Sequence, residues 1–320
     1  MAIDILLVSL GLVVLAGGGE VLVRGAVGLA LRLRVTPAVI GLTIVSAGTS
    51  LPELVVSVIA NNRGRPDLAV GNVVGSNIFN VGLILGLCAL FISLPVERKT
   101  LRLEWPFLLL ITLLTLFLMG DGLIVRADGA LLLALLLGFL WFIVRLARRD
   151  VEEQERAAEE LGGPRDRVPG FPRHAGLALL GLVLLPVGAR LTVDGATDIA
   201  ETFGVSQRVI GLTIVAVGTS LPELASSLAA AIRGRADVAV GNVIGSNLFN
   251  LLGILGAASL VKPLAVNPDF FTRWHGDVWW MLGFTVLLAP VLFFGRRVSR
   301  VDGVILLILF SVYMALLLTR

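Results

Sequence analysis

Residues 39–80 of this chain read VIGLTIVSAGTSLPELVVSVIANNRGRPDLAVGNVVGSNIFN, and residues 209–250 read VIGLTIVAVGTSLPELASSLAAAIRGRADVAVGNVIGSNLFN. At an offset of 170 residues, 30 of the 42 positions are identical, polar letters included. A repeat this long is a duplicated structural unit, and one fold must offer both copies equivalent surroundings.

Those surroundings are a membrane. The chain is 57% hydrophobic and only 15% charged, with mean hydropathy +0.95, whereas soluble domains carry about 25% charge. Apolar runs such as Phe107–Leu118 and Ala130–Val144 extend towards the roughly 20 residues that a spanning helix needs. Soluble enzymes, nucleic-acid modules and disulfide scaffolds are thereby excluded. The net charge of +3 comes from arginines lying between apolar runs, where topology accounts for them better than a nucleic-acid partner. A single cysteine, Cys88, rules out an intramolecular disulfide and a cysteine metal cluster. The run Ile5–Ala16 has neither a basic flank nor a cleavage site, so it reads as a retained helix.

The predicted fold is all-α and polytopic. Hydropathy places about ten transmembrane helices near 3–23, 37–60, 69–92, 104–119, 128–147, 175–193, 207–231, 239–261, 277–294 and 302–319. The chain then divides into a first five-helix repeat at 1–147, a hydrophilic linker at 148–173 and a second repeat at 174–320. Five helices per copy is an odd number, so the second copy enters from the opposite face and the repeats are inverted. Counting Lys and Arg over alternate connections gives 18 on one face and 8 on the other. This places the linker in the cytoplasm and both termini outside a cell (inner) membrane.

Each copy carries the string GTSLPE in mid-helix, at Gly48–Glu53 and Gly218–Glu223. A proline inside a helix removes an N–H donor and clashes with the carbonyl four residues back, so both helices should break here, near the midplane. Irregular backbone at that depth survives only when buried in protein or lining a wet cavity. Beside each break stand two hydroxyls and an acid: Thr49, Ser50 and Glu53, and Thr219, Ser220 and Glu223. The second string, GN-x-x-GSN-x-x-N, sets Asn72, Ser76 and Asn80 four residues apart on one helix face, with Asn242, Ser246 and Asn250 as counterparts.

An ionised carboxylate near the bilayer centre costs at least about 2.5 kcal/mol, and the central stretches supply no Lys, Arg or His to offset it. The chemistry on offer is all oxygen, which suits hard cations such as Ca²⁺ and Na⁺ rather than softer metals. Two carboxylates balance one Ca²⁺ or two Na⁺, a simple basis for exchange.

The paired GTSLPE and GN-x-x-GSN-x-x-N strings resemble the alpha-repeats of the cation/Ca²⁺ exchanger superfamily, and prokaryotic Na⁺/Ca²⁺ exchangers in particular. The resemblance implies a secondary antiporter that extrudes Ca²⁺ against Na⁺ by alternating access. In it, helices 1 and 6 slide across a core of helices 2, 3, 7 and 8. It implies that Glu53 and Glu223 bind Ca²⁺ and, alternately, Na⁺. Thr49, Ser50, Thr219, Ser220 and the carbonyls of Ser46 and Ala216 would add oxygens. Ser76 and Ser246 would complete outer Na⁺ sites, with Asn80 and Asn250 beside the centre. Some members carry an aspartate where this chain has Asn250, so this centre holds two acids rather than three. Ca²⁺/H⁺ exchange on the same fold is the alternative. An intramembrane hydrolase built on Ser50 or Ser220 lacks a midplane His or Lys as base. No cofactor, nucleic acid or obligate protein partner is implied; the partners are the transported ions and the lipid bilayer.

Overall fold

Helix α1 (Ala2–Leu33) runs well past Glu20 and Arg24, where hydropathy alone would end it. The two charges form an ion pair one turn apart at 2.6 Å and so stay inside the helix. The stop comes at Arg34, in the left-handed region at φ 53°, followed by Pro37. The computed structural model describes residues 1–160, 171–204, 216–272 and 276–318.

Within those residues the chain is a succession of helices. After α1 come a broken helix, α2a (Pro37–Thr49) and α2b (Leu51–Asn62), then α3 (Pro66–Phe91), α4 (Thr100–Met119) and α5 (Arg126–Glu160). The second half repeats the order: α6 (Phe171–Thr202), α7a (Ala216–Thr219) and α7b (Leu221–Ile232), α8 (Ala236–Val261), α9 (Asp277–Gly295) and α10 (Arg300–Leu318). The helix expected at 207–231 is described from Ala216 onward, and linker residues 161–170 lie outside the described residues. The linker's first part, to Glu160, continues α5. Seven of these helices are long and apolar enough to cross a membrane, and the α2 pair, bent by 44°, makes an eighth when counted as one span. Helices Leu221–Ile232 and Asp277–Val291 are apolar but shorter.

Burial separates core from periphery. The most apolar windows of α8 and α3 are 94% and 78% buried, against 22–28% for α1, α5, α6 and α10. The duplicated polar strings therefore occupy the centre, and α1, α5, α6 and α10 form the periphery. Helices α1 and α6 pack along their length. A Cβ at Gly25 would lie 2.3 Å from the Ala178 nitrogen, and Gly11 sits against Thr192, so the two run antiparallel in close backbone contact. Arg24, Arg190 and Asp194 lie inside these two helices.

Four two-residue strands tie the connections together. β1 (Leu94–Pro95), after α3, pairs antiparallel with β4 (Arg297–Val298), after α9. β2 (Leu123–Ile124), after α4, pairs with β3 (Leu264–Ala265), after α8. β1 and β2 stand at opposite ends of α4, whose 20 residues span about 30 Å. The C-terminal ends of α3 and α8, matching elements of the two copies, therefore lie at opposite ends of the molecule.

Candidate cation site

Both GTSLPE strings break their helices one residue before the Leu-Pro pair. Ser50 (φ −85°, ψ 7°) and Ser220 (φ −93°, ψ 6°) leave the helical region, and Pro52 and Pro222 then open the next helix, where a missing N–H costs nothing. The break points each acid at the other copy's break. Ser50 Oγ donates to Glu223 Oε1 at 2.8 Å, and Ser220 Oγ approaches Glu53 Oε1 at 3.2 Å and Ser76 Oγ at 3.3 Å. The single Ser220 proton goes to the stronger acceptor, the carboxylate, which leaves Ser76 to donate into Ser220.

Each acid is 1–2% exposed, and the two carboxylates repel one another. Neither has a cationic partner among the described residues. Each keeps one oxygen, Oε2, buried and unpaired. Along the two GN-x-x-GSN-x-x-N strings Asn80 Oδ1, Asn250 Oδ1, Asn242 Oδ1, Asn77 Oδ1 and Ser246 Oγ are also buried without a donor. Buried acceptors normally find partners, and these open oxygen lone pairs are ones that a bound cation would satisfy. The group is largely neutral. Among the described residues no three His, Cys, Asp or Glu side chains gather around a metal position.

A supporting layer recurs in both copies. Asn72 Nδ2 donates to Ser57 Oγ (2.9 Å) and to the Glu53 carbonyl (3.3 Å). Asn242 Nδ2 donates to Ser227 Oγ (2.8 Å), to Ser226 Oγ (3.1 Å) and to the Glu223 carbonyl (3.5 Å). These amides hold the backbone that carries the acids. Asn80 Nδ2 donates to Asn247 Oδ1 at 2.9 Å, joining the two copies. Thr49 Oγ1 and Ser46 Oγ bond back to their own helix, and the Ser46 carbonyl receives the Ser50 amide at 3.0 Å. In the second copy the Ser220 amide bonds to the Val217 carbonyl at 3.1 Å. Ala216 and Thr219 frame the short α7a beside that break.

Two features of the site were not anticipated from the sequence. Both helices with GSN strings widen into a π-turn at the terminal asparagine, over Asn80–Leu85 in α3 and Phe249–Ile254 in α8. Such turns are frequent at functional sites. Ser57 and Ser227, one turn beyond each acid, are fully buried partners of the asparagines. Their repetition at the same 170-residue offset was the available signal.

The copies differ in access. A cleft of about 80 Å³ reaches Gly71, Asn72, Gly75 and Ser76, walled by Phe79, Val217 and the Phe310–Leu317 stretch of α10. The matching face of α8 is sealed: a Cβ at Gly245 would sit 2.4 Å from the Leu42 carbonyl and 2.6 Å from Ser46 Oγ, whereas one at Gly75 would meet none of the described residues within 4 Å.

Comparison with known proteins identifies the family and the fold. The family model described as "Sodium/calcium exchanger protein" matches twice, over residues 3–145 and 173–319. The putative antiporter CaxA of Alkalimonas amylolytica is 40% identical over 320 residues, 99% of each chain. The sodium/calcium exchanger MaX1 of Methanosarcina acetivorans is 31% identical over 99% of each chain. A solved structure of the sodium-calcium exchanger NCX_Mj, soaked with 2.5 mM Na⁺ and 0.1 mM Ca²⁺, superposes with TM-score 0.83 at 32% identity, covering 98% of each chain. This chain belongs to the sodium/calcium exchanger protein family.

Proposed function

We propose that the protein is a cation/Ca²⁺ antiporter that exchanges Ca²⁺ for Na⁺ across the membrane by alternating access. One observation carries the reading: a carboxylate from each copy, Glu53 and Glu223, is buried with one oxygen fixed by the other copy's serine and the other left unpaired. Two such carboxylates neutralise one Ca²⁺. Na⁺ is favoured over H⁺ as the exchanged ion by the unpaired neutral oxygens of Asn80, Asn250 and Ser246. A proton needs only the acids, whereas Na⁺ needs several oxygens and gains from neutral ones. The relatives named sodium/calcium exchangers point the same way.

Ten spans in two inverted five-helix repeats are the architecture that fits best. The antiparallel course of α1 and α6, the opposite ends reached by α3 and α8, and the family match to each half all support it. With both termini outside and the 148–173 linker cytoplasmic, the open cleft at Ser76 faces outward and the sealed face at Gly245 inward. Helices α1 and α6, joined by close backbone contact, then move as one unit across the core of α2, α3, α7 and α8 to exchange the two conditions. An empty site with two bare carboxylates is held back by its charge. When more Na⁺ charge enters than Ca²⁺ charge leaves, the membrane potential adds about 2.3 kcal/mol per net charge per 100 mV.

The test is radiolabelled Ca²⁺ uptake into Na⁺-loaded proteoliposomes, with and without an outward Na⁺ gradient at fixed pH. Uptake that needs the gradient supports the proposal. Uptake indifferent to Na⁺ but driven by a proton gradient assigns the protein to Ca²⁺/H⁺ exchange.

A further inference from the structure

The far end of α5 takes no part in the exchange site, yet it gathers three arginines on one outward side. Arg145, Arg148 and Arg149 are all exposed, and none forms an ion pair with a described residue. The nearest acid in sequence, Asp150, is committed to Lys99. Arg145 lies over the ring of Trp141, its guanidinium carbon 5.1 Å from the ring centroid. Trp141 itself is 62% exposed.

These side chains line a shallow groove of about 570 Å³. Its membrane-side floor is apolar, made of Leu140, Trp141 and Val144. Its other end carries the three arginines, with Glu152 on the rim. From Trp141 to Arg149 the helix rises about 12 Å, so the groove runs from acyl-chain depth to headgroup depth. Positive charge scattered over a loop would only set topology. Here it is concentrated at the end of an apolar slot, with no ion pair to it among the described residues.

We propose that this groove binds one anionic phospholipid, its phosphate held by Arg145, Arg148 and Arg149 and its acyl chain lying along Leu140, Trp141 and Val144. The assignment rests only on the chain spanning a bilayer and is independent of which ion drives exchange. Arginine suits the role because its fork meets phosphate oxygens two at a time.

The experiment is native mass spectrometry of the purified full-length protein, titrated with phosphatidylglycerol or with phosphatidylcholine. Each arginine near an anionic headgroup contributes about five-fold in binding, or roughly 100-fold for three. The R145Q/R148Q/R149Q variant should therefore need roughly 100-fold more phosphatidylglycerol for equal occupancy. A charge-matched R98Q/R297Q/R300Q variant, altered at other exposed arginines, should stay within about two-fold of the parent. Trp141→Ala should weaken retention of phosphatidylglycerol while leaving all three arginines in place. Equal losses in the two triple variants would reduce the groove to general surface charge and overturn the proposal. So would equal retention of phosphatidylcholine by the parent protein. Displacement of bound lipid by millimolar inorganic phosphate would make this a free-anion site instead, and would equally overturn it.

Discussion

Ser50 donates its hydroxyl proton to Glu223, at 2.8 Å and across 173 residues of chain. Its counterpart Ser220 does the same for Glu53 at 3.2 Å. Each acid is thus oriented by the copy to which it does not belong, so the site exists only when both breaks meet. Removing either hydroxyl leaves a buried carboxylate oxygen without its donor, worth about 1.5–3 kcal/mol for a charged acceptor. Ser50→Ala and Ser220→Ala should each weaken Ca²⁺ binding by roughly 10- to 100-fold, measured by isothermal titration. A loss confined to one variant contradicts the reciprocal arrangement.

Asn72 and Asn242 act one step further out, through Ser57, Ser227 and the carbonyls of the two acids. Asn72 borders the open cleft, where water can replace its bonds, while Asn242 is 1% exposed. Asn242→Ala should therefore cost about 1–3 kcal/mol in thermal stability, and Asn72→Ala distinctly less. Thermal unfolding of the detergent-solubilised variants measures the difference, and equal losses contradict it.

The two matching glycines give a sharper contrast. Gly245→Ala places a methyl against the Leu42 carbonyl and Ser46 Oγ, while Gly75→Ala places one against none of the described residues. Gly245→Ala should destabilise this conformation by about 1–3 kcal/mol. Gly75→Ala should fold normally but resist closing its own side, slowing Ca²⁺ exchange while leaving Ca²⁺ affinity from the open face unchanged. Normal exchange by Gly75→Ala contradicts the swap of open and sealed sides.

Glu20 of α1 meets Arg233 at the end of α7b as well as Arg24, tying the helix pair that moves in the proposed cycle to the core. The equivalent positions in α6, Arg190 and Asp194, hold the same pair with the charges reversed. A half-exposed ion pair contributes up to about 1 kcal/mol. Glu20→Gln should therefore shift the balance of access states by no more than about five-fold, in favour of the opposite state. Distance measurements between spin labels on α1 and α8 report that shift, and a shift the other way contradicts the contact's role.

Glu97, in the connection before α4, is pushed above its ordinary value by burial and by the neighbouring Asp237, with Lys99 and Arg235 only partly offsetting this. A carboxyl raised on folding supports the fold while protonated, below its unfolded value of about 4.3. That support is lost as pH rises through the folded value. Glu97→Gln should accordingly raise the melting temperature at pH 7 and make no difference near pH 4. A gain that is the same at both pH values contradicts this origin.

Much of this was legible in the sequence because proline and intramembrane acids have few tolerable environments. The GTSLPE string sets both breaks within a residue, and Glu53 and Glu223 could only be buried among oxygens. Helix ends were less legible. Glu20 and Arg24 lower local hydropathy, but as an i, i+4 pair they extend α1 rather than end it. The exchange of partners between Ser50 and Glu223 is a long-range contact, and no local pattern encodes which copy's serine meets which acid. The π-turns at Asn80 and Phe249 were equally hidden, since they change the hydrogen-bond step without changing the helical pattern of apolar residues.

The central claim is that one Ca²⁺ is held jointly by a carboxylate from each copy. Equilibrium Ca²⁺ binding to the purified protein, to Glu53→Gln and to Glu223→Gln tests it most directly, with circular dichroism to verify that all three are folded. The account predicts one high-affinity Ca²⁺ per chain in the parent protein and none in either variant. Two Ca²⁺ per chain, or one retained at parent affinity after either substitution, would contradict it.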